Sequence, residues 1–220
     1  MNHSHPCHPH SSLLTHGDPR VAFFNQLAAR WETDSDEMAR TRQRLTELLP
    51  RLGLGSGQHI LEVGCGTGVV TDWLLRHVWT GRWVAIDFAP AMLEQARAKN
   101  LPVEWRCHDI CDGPVEGEGF DVALCFHVFP HFRDPVAALR HLALSLKPGG
   151  RLLVVHLAGS AQINAFHHDV GGPVCHDHLP PATEWPSLLQ AAGLTLQQAI
   201  DRADLFFVEA VKSGLNPGTN

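Results

Sequence analysis

Apolar positions along the chain repeat with two different periods. Short apolar runs bounded by glycine, proline or aspartate predict strands at His59–Val63, Trp83–Asp87, Val103–Arg106, Val122–Phe126 and Arg151–Leu157. Between them, apolar residues three and four apart predict helices at Val69–Val78, Pro90–Lys99 and Pro135–Leu146. Strands joined by helices run parallel, so this stretch implies a doubly wound α/β sheet. The alternation breaks after residue 157. A helix is expected at about Thr183–Ala192, then strands at Leu194–Ile200 and Leu205–Val211. Only Asp201–Asp204 separates those two strands, which implies a closing antiparallel hairpin and seven strands in all.

Upstream of the alternation, Asp18-Pro19 reads as an N-cap followed by proline at the first helical position. Phe23, Phe24, Leu27 and Trp31 give that helix an apolar stripe. A second helix from near Ser35 carries Met38, Leu45, Leu48 and Leu49 and is expected to stop at Pro50, before Gly53, Gly55 and Gly57. One domain over residues 18–212 follows, with an N-terminal helical cap (18–50) and an insert after the fifth strand (158–182). Residues 1–17 and 213–220 read as flexible tails.

Composition narrows the partners. The chain has 220 residues, 44% hydrophobic and 18% charged, enough for one sizeable core. Net charge is −6 with 17 Lys+Arg and no basic run, which disfavours a nucleic-acid partner. No apolar run approaches the roughly 18 residues of a membrane helix. The opening MNHSHPCHPH lacks the basic and apolar blocks of a signal peptide, and six irregularly spaced cysteines do not form a disulfide framework. A reducing, cytoplasmic setting is expected. The outlying figure is 16 histidines against no tyrosine. Histidine titrates near neutrality and ligates transition metals, so this bias calls for a reason.

The segment ILEVGCGTG, residues 60–68, sets Gly64, Gly66 and Gly68 between a strand and a helix. Glycines let the backbone approach a ligand, and a helix start offers free N–H groups. The dinucleotide fingerprint wants its third glycine one place later, where Val69 sits. Asp87 ends the next strand at the distance expected of a ribose-binding carboxylate. Glu62, just before the loop, would repel a pyrophosphate but suits an ammonium group. Ribose plus ammonium without phosphate points to an amino-acid nucleoside.

These features, with VAIDFAPAML (84–93), CHDI (107–110), FDVALCFHVFPHF (120–132) and LKPGGRLLVV (146–155), resemble the class I S-adenosylmethionine-dependent methyltransferases of the small-molecule and quinone-type group. The resemblance covers roughly residues 20–212 and implies a Rossmann-like fold with S-adenosylmethionine as methyl donor. It implies that Gly64, Gly66 and Gly68 border the methionine portion, with Glu62 at its amino group. Asp87 would take the ribose hydroxyls, Phe88 and Met92 would flank the adenine, and Asp109 with Ile110 would address its edge. Phe126 and His127 would sit beside the transferable methyl. Ala89 stands where relatives often have serine, which affects helix capping. The first helix often caps the donor pocket in this group, so Trp31 has both packing and substrate-binding readings.

The acceptor is less determined. The (D/N)PP(Y/F) tetrad of nucleobase and amide methyltransferases is absent; Cys125-Phe126-His127-Val128 stands there instead. Displacement at a sulfonium needs alignment, and a base only if the acceptor must lose a proton. His131 and His127 follow strand four, and His156 closes strand five, at the ends where open α/β sheets bind ligands. His131 is the candidate base. NAFHHDVGGPVCHDHLP, residues 164–180, places His167, His168, His176 and His178 around a Gly-Gly-Pro break. Three readings stay open for it: acceptor-pocket residues (His156, His167 and His168 among them), a zinc, nickel or copper site made by His167, His168, His176 and His178, or a solvated loop. Correspondingly, the function is methyl transfer to a small-molecule acceptor, metal-dependent methylation of a thiol or metalloid, or donor and metal binding without catalysis. Cys65, Cys107, Cys111 and Cys125 read as packing. The tail HSHPCHPH (3–10) could chelate ions adventitiously.

Overall fold

The computed structural model describes residues 17–78, 81–117 and 119–214; the expected tails, including the 3–10 tract, lie almost wholly outside the described residues. Helices α1 (Pro19–Leu27) and α2 (Ser35–Leu52) precede β1 (His59–Val63), α3 (Val69–His77), β2 (Arg82–Asp87), α4 (Pro90–Ala98) and β3 (Glu104–Cys107). Then come β4 (Phe120–Phe126), α5 (Pro135–Ser145), β5 (Leu146–His156), α6 (Ser160–Val170), α7 (Trp185–Ala191), β6 (Leu194–Arg202) and β7 (Leu205–Lys212). The seven strands lie in the order β3-β2-β1-β4-β5-β7-β6. All neighbours from β3 to β5 pair parallel, while β7 pairs antiparallel with β5 and β6.

Strand parity explains the layers. Leu61, Val63, Val84 and Ile86 face one core with Ala138, Leu139 and Leu142 of α5 and Trp185 and Leu189 of α7. The alternate positions Ile60, Trp83 and Ala85 face a second core with Leu45, Leu48 and Leu52 of α2 and Trp73 and Leu74 of α3. Both faces are covered, so the strands are apolar at nearly every position, as parallel sheets require. Each fully buried leucine here contributes roughly 1.5–3 kcal/mol relative to exposure. Glu62 shares the parity of Ile60, which aims it at the α2/α3 layer. The strand order reverses between β1 and β4, and their carboxyl ends open the crevice where such sheets bind ligands.

Three of the departures from the expected elements have a readable physical cause. The cap helix α2 runs through Pro50 to Leu52 and ends at Gly53, whose φ of 55° forms a left-handed cap. Proline removes one helical hydrogen bond, but the buried stripe of Leu45, Leu48 and Leu52 holds the last turn. The strand β5 starts at Leu146 rather than Arg151, pairing with Phe120 across a register shift. The insert contains a full helix, α6, whose buried residues are only Ser160 and His167. With so narrow a buried face, α6 leaves no apolar period to read.

Candidate active site

The glycine loop is shaped by close approaches. Gly64 has φ 66°, and a Cβ there would lie 2.1 Å from Val128 Cγ2, so no larger residue fits. Its N–H and that of Cys65 donate to the Ile86 carbonyl, tying the loop to β2. At Gly66, with φ 54°, the N–H donates to Asp87 Oδ2 at 2.8 Å, while Ala89 N–H donates to Asp87 Oδ1 at 2.8 Å. Asp87 therefore holds both the loop and the start of α4. Its burial pushes its carboxyl up to about 6, against the pull of those two N–H groups.

Glu62 is the second buried carboxyl. Its Oε2 accepts from Thr71 Oγ1 at 2.7 Å and from Trp83 Nε1 at 2.9 Å. Burial nevertheless raises it to about 7, because the two hydrogen bonds are neutral and Asp87 adds like charge. Glu62 lines a cavity of about 680 Å³ together with Gly64–Thr67, Phe126, His127, Leu157 and the α2 face from Glu37 to Arg44. A smaller adjoining recess is lined by Phe24, Asp87, Phe88, Met92, Val128 and His131. Trp31, Gly64, Gly66 and His127 border both. Two carboxyls that hold their protons more tightly than usual, one at each cavity, fit a ligand with a cation at one end and paired hydroxyls at the other.

The first helix caps the recess. Phe24 meets Phe88, Trp31 and His131 edge-on at 5.7, 6.1 and 5.0 Å, and Asn25 Oδ1 accepts the Ala91 N–H. Trp31 keeps 42% of its surface exposed and stands over the glycine loop, 3.8 Å from where a Gly66 Cβ would be. Asp109 and Ile110 border neither cavity. Asp109 instead accepts from the Cys111 N–H and from Arg133, and Ile110 is buried in the α5/α7 core. Cys111 is buried there as well, its thiol pushed up to about 12 by burial, which fits a packing role.

The histidines separate into two sets. His127, His131, His156 and His167 gather: His127 and His156 ring centres are 5.2 Å apart, His131 and His167 4.9 Å. His168, His176 and His178 are exposed. The expected convergence of His167, His168, His176 and His178 on one ion is thus corrected. Adjacent positions on α6 send His167 inward and His168 to solvent, and in the returning segment the inward side chain is Asp177. Among the described residues no group of three or more His, Cys, Asp or Glu is arranged to hold a metal ion. His156, His167 and His168 also line neither cavity. His156 shares the parity of Leu152 and Val154, so its ring lies against Phe206 on the α5/α7 side.

His127 and His131 differ in chemistry. His127 has a φ of 55°, rare for a residue with a side chain, and its Nε2 accepts the Leu157 N–H at 3.0 Å. His127 is exposed where it borders the cavity, while the protein packed behind its ring, with His131 and His167 nearby, pulls it down to about 4. His127 is therefore neutral with Nε2 occupied, which removes it as a proton acceptor through that atom and leaves Nδ1–H as a donor. His131 sits on the turn after β4. Its Nδ1 is 2.6 Å from Asp177 Oδ2, and Asp177 is 3.4 Å from Arg20 Nη1. Arg20 and Asp177 were not legible as site residues. Their only signals are an arginine just after an N-cap and an aspartate between two outward histidines.

A family model described as a methyltransferase domain matches residues 32–199. The chain is 35% identical over 137 residues to the biotin biosynthesis bifunctional protein BioCD of Bordetella avium, covering 61% of this chain and 29% of that protein. It is 34% identical over 140 residues to a ubiquinone biosynthesis O-methyltransferase of Xanthomonas oryzae, covering 60% of this chain and 57% of that one. It thus spans less than two thirds of the length of these relatives. The fold matches N-methyltransferase NodS of Bradyrhizobium japonicum, solved with S-adenosyl-L-homocysteine, at a TM-score of 0.65 and 22% identity over 89% of this chain and 97% of that one. Sheet order, glycine loop, the two carboxyls and the matched domain agree, and the chain belongs to the class I S-adenosylmethionine-dependent methyltransferases.

Proposed function

We propose that the protein methylates a hydroxyl group of a small-molecule acceptor, with His131 as the base. The observation that carries this reading is the placement of His131 in the recess with Asp87 and Phe88, its Nδ1 held by a carboxylate. The ring's other nitrogen, Nε2, is then the atom available to take a proton.

S-adenosylmethionine supplies, when bound, an electrophilic methyl group on a sulfonium. Glu62 is suited to its ammonium group, since a buried carboxyl raised to about 7 regains its charge beside a cation. Asp87 is suited to ribose hydroxyls, because each of its oxygens has a lone pair beyond the backbone bonds it accepts. Phe88 and Met92, closed over by Phe24, offer an apolar seat for a purine. Phe126, Leu157, Phe166 and Trp31 line the larger cavity and exclude water from an apolar acceptor. A ubiquinone biosynthesis O-methyltransferase among the relatives favours a hydroxyl over other acceptor atoms. The acidic balance of the chain, −6, weighs against a nucleic-acid acceptor.

The test is S-adenosylhomocysteine release by the purified protein with catechols, phenols, thiols and amines, each with and without chelator. Hydroxyl-dependent release that chelator leaves unchanged is the expected result. Release only with added metal, or only with thiols or amines, would replace this reading.

A further inference from the structure

We propose that Asp177 is a positioning residue for His131 and that Arg20 anchors Asp177, so that cap, β4 turn and insert close over the site as one clasp. This rests on the reading of His131 as the base. The three residues come from separate elements, with Arg20 at the start of α1, His131 after β4 and Asp177 in the insert beyond α6. Arg20 Nε and Nη2 bind the Asp18 carboxylate, and its Nη1 donates to the His131 carbonyl at 3.0 Å while lying 3.4 Å from Asp177 Oδ1. One guanidinium thereby touches the backbone of the base and the carboxylate that orients its ring.

The clasp is largely shielded, with side-chain exposures of 13% for Arg20, 14% for His131 and 7% for Asp177. A buried, hydrogen-bonded pair of this kind holds geometry better than an exposed one, whose partners exchange with water. The insert is shaped to deliver Asp177. Gly171 and Gly172 take φ of 68° and 61°, reversing the chain after α6, and His167 Nδ1 meets the Asp177 carbonyl at 3.2 Å. The His167 ring lies tilted against that of His131, 4.9 Å away, and so buttresses it. The groups facing His131 are Arg20 and Asp18 from the cap, Asp177 and His167 from the insert, His127 and His156 from the strand ends, and Asp87 from β2. Burial pulls His127, His156 and His167 towards neutrality. Asp177 is the carboxylate in direct contact with the ring. A carboxylate on Nδ1 selects the Nδ1–H tautomer and leaves Nε2 free towards the recess.

The histidine-rich stretch thus acquires a different meaning. Its working polar residues are one inward histidine and the aspartate between two outward ones.

The test is ¹⁵N NMR of the histidine rings in the full chain loaded with S-adenosylhomocysteine, with His131 assigned by its disappearance in His131→Gln. In the parent the expected state is Nδ1–H with a free Nε2. In Asp177→Asn, whose amide can donate to Nδ1, the Nδ1–H form of His131 should lose its dominance to Nε2–H. A contact that does not position the ring would move the melting temperature and leave the tautomer in place. A parent His131 in the Nε2–H form overturns the inference without any variant having to fold, as does an unchanged tautomer in a folded Asp177→Asn. Turnover of His131→Gln separates the two readings. If it is undiminished while the tautomer is as expected, the base assignment falls and the clasp stands.

Discussion

The donor side and the acceptor side of this crevice are built on different principles. On the donor side, Glu62, Gly64, Gly66 and Asp87 lie within 26 residues, and each is fixed by its own strand end or by its neighbour across β1 and β2. On the acceptor side, His131 meets a residue 46 positions away, and Arg20 meets one 157 away. The first is a local motif that a backbone turn imposes. The second is an assembly of segments that touch only after the domain has folded. Local motifs carry a ligand class shared by a family, whereas long-range assemblies can vary with the acceptor. Changes on the two sides should therefore have separable effects.

The largest expected effect is on turnover. His131→Gln should lower kcat by about a hundredfold or more, the ordinary scale of general-base catalysis, while donor affinity by calorimetry changes less than about threefold. A comparable loss of donor affinity would erase the division between the sides. Next is Asp87→Ala, which removes the carboxylate proposed for the ribose hydroxyls and the tie to Gly66. S-adenosylmethionine binding should weaken by about 2 kcal/mol or more, roughly thirtyfold. An unchanged dissociation constant would mean the donor does not sit there.

Glu62 sharpens the same side through pH. Its folded value, about 7, is raised above the ordinary carboxyl value, so its ionisation costs stability as pH rises from the unfolded value near 4.5 through 7. Glu62→Gln should thus raise the melting temperature of the ligand-free protein at pH 8, with little effect at pH 4.5. In the parent, donor affinity should fall as pH drops below about 7, because an ammonium group favours the ionised carboxyl. Melting curves and calorimetry at pH 6 and 8 would check both signs. The smallest expected effect is that of changing His176 and His178 together to alanine. Both side chains are exposed, so turnover and donor affinity should stay within about twofold. A large loss of turnover would restore a role to the outward pair.

What could be read from the sequence follows this division. Strand parity, the βα alternation and the glycine spacing are local, so the sheet, its closing hairpin and the positions of Glu62 and Asp87 were all legible. Helix α6 was not, because it buries only Ser160 and His167 and presents no apolar period. The choice among the histidines of residues 164–180 was not legible either. Adjacency showed that His167 and His168 cannot share a face, but which one turns inward depends on the seat that His131 and Asp177 provide. Asp109 was placed by resemblance at the adenine edge. In this chain it also pairs with Arg133, an arginine one residue before the cap of α5, a contact that the motif does not announce.

The most direct measurement is a crystal structure of the parent protein with S-adenosyl-L-homocysteine. The expected result has the ribose hydroxyls on the Asp87 carboxylate, the ammonium group beside Glu62, and His131 Nε2 facing the sulfur end with Nδ1 still on Asp177. Ligand bound elsewhere, or bound with Asp87 and Glu62 both untouched, would contradict the donor assignment. His131 turned away from the sulfur would contradict its role as base.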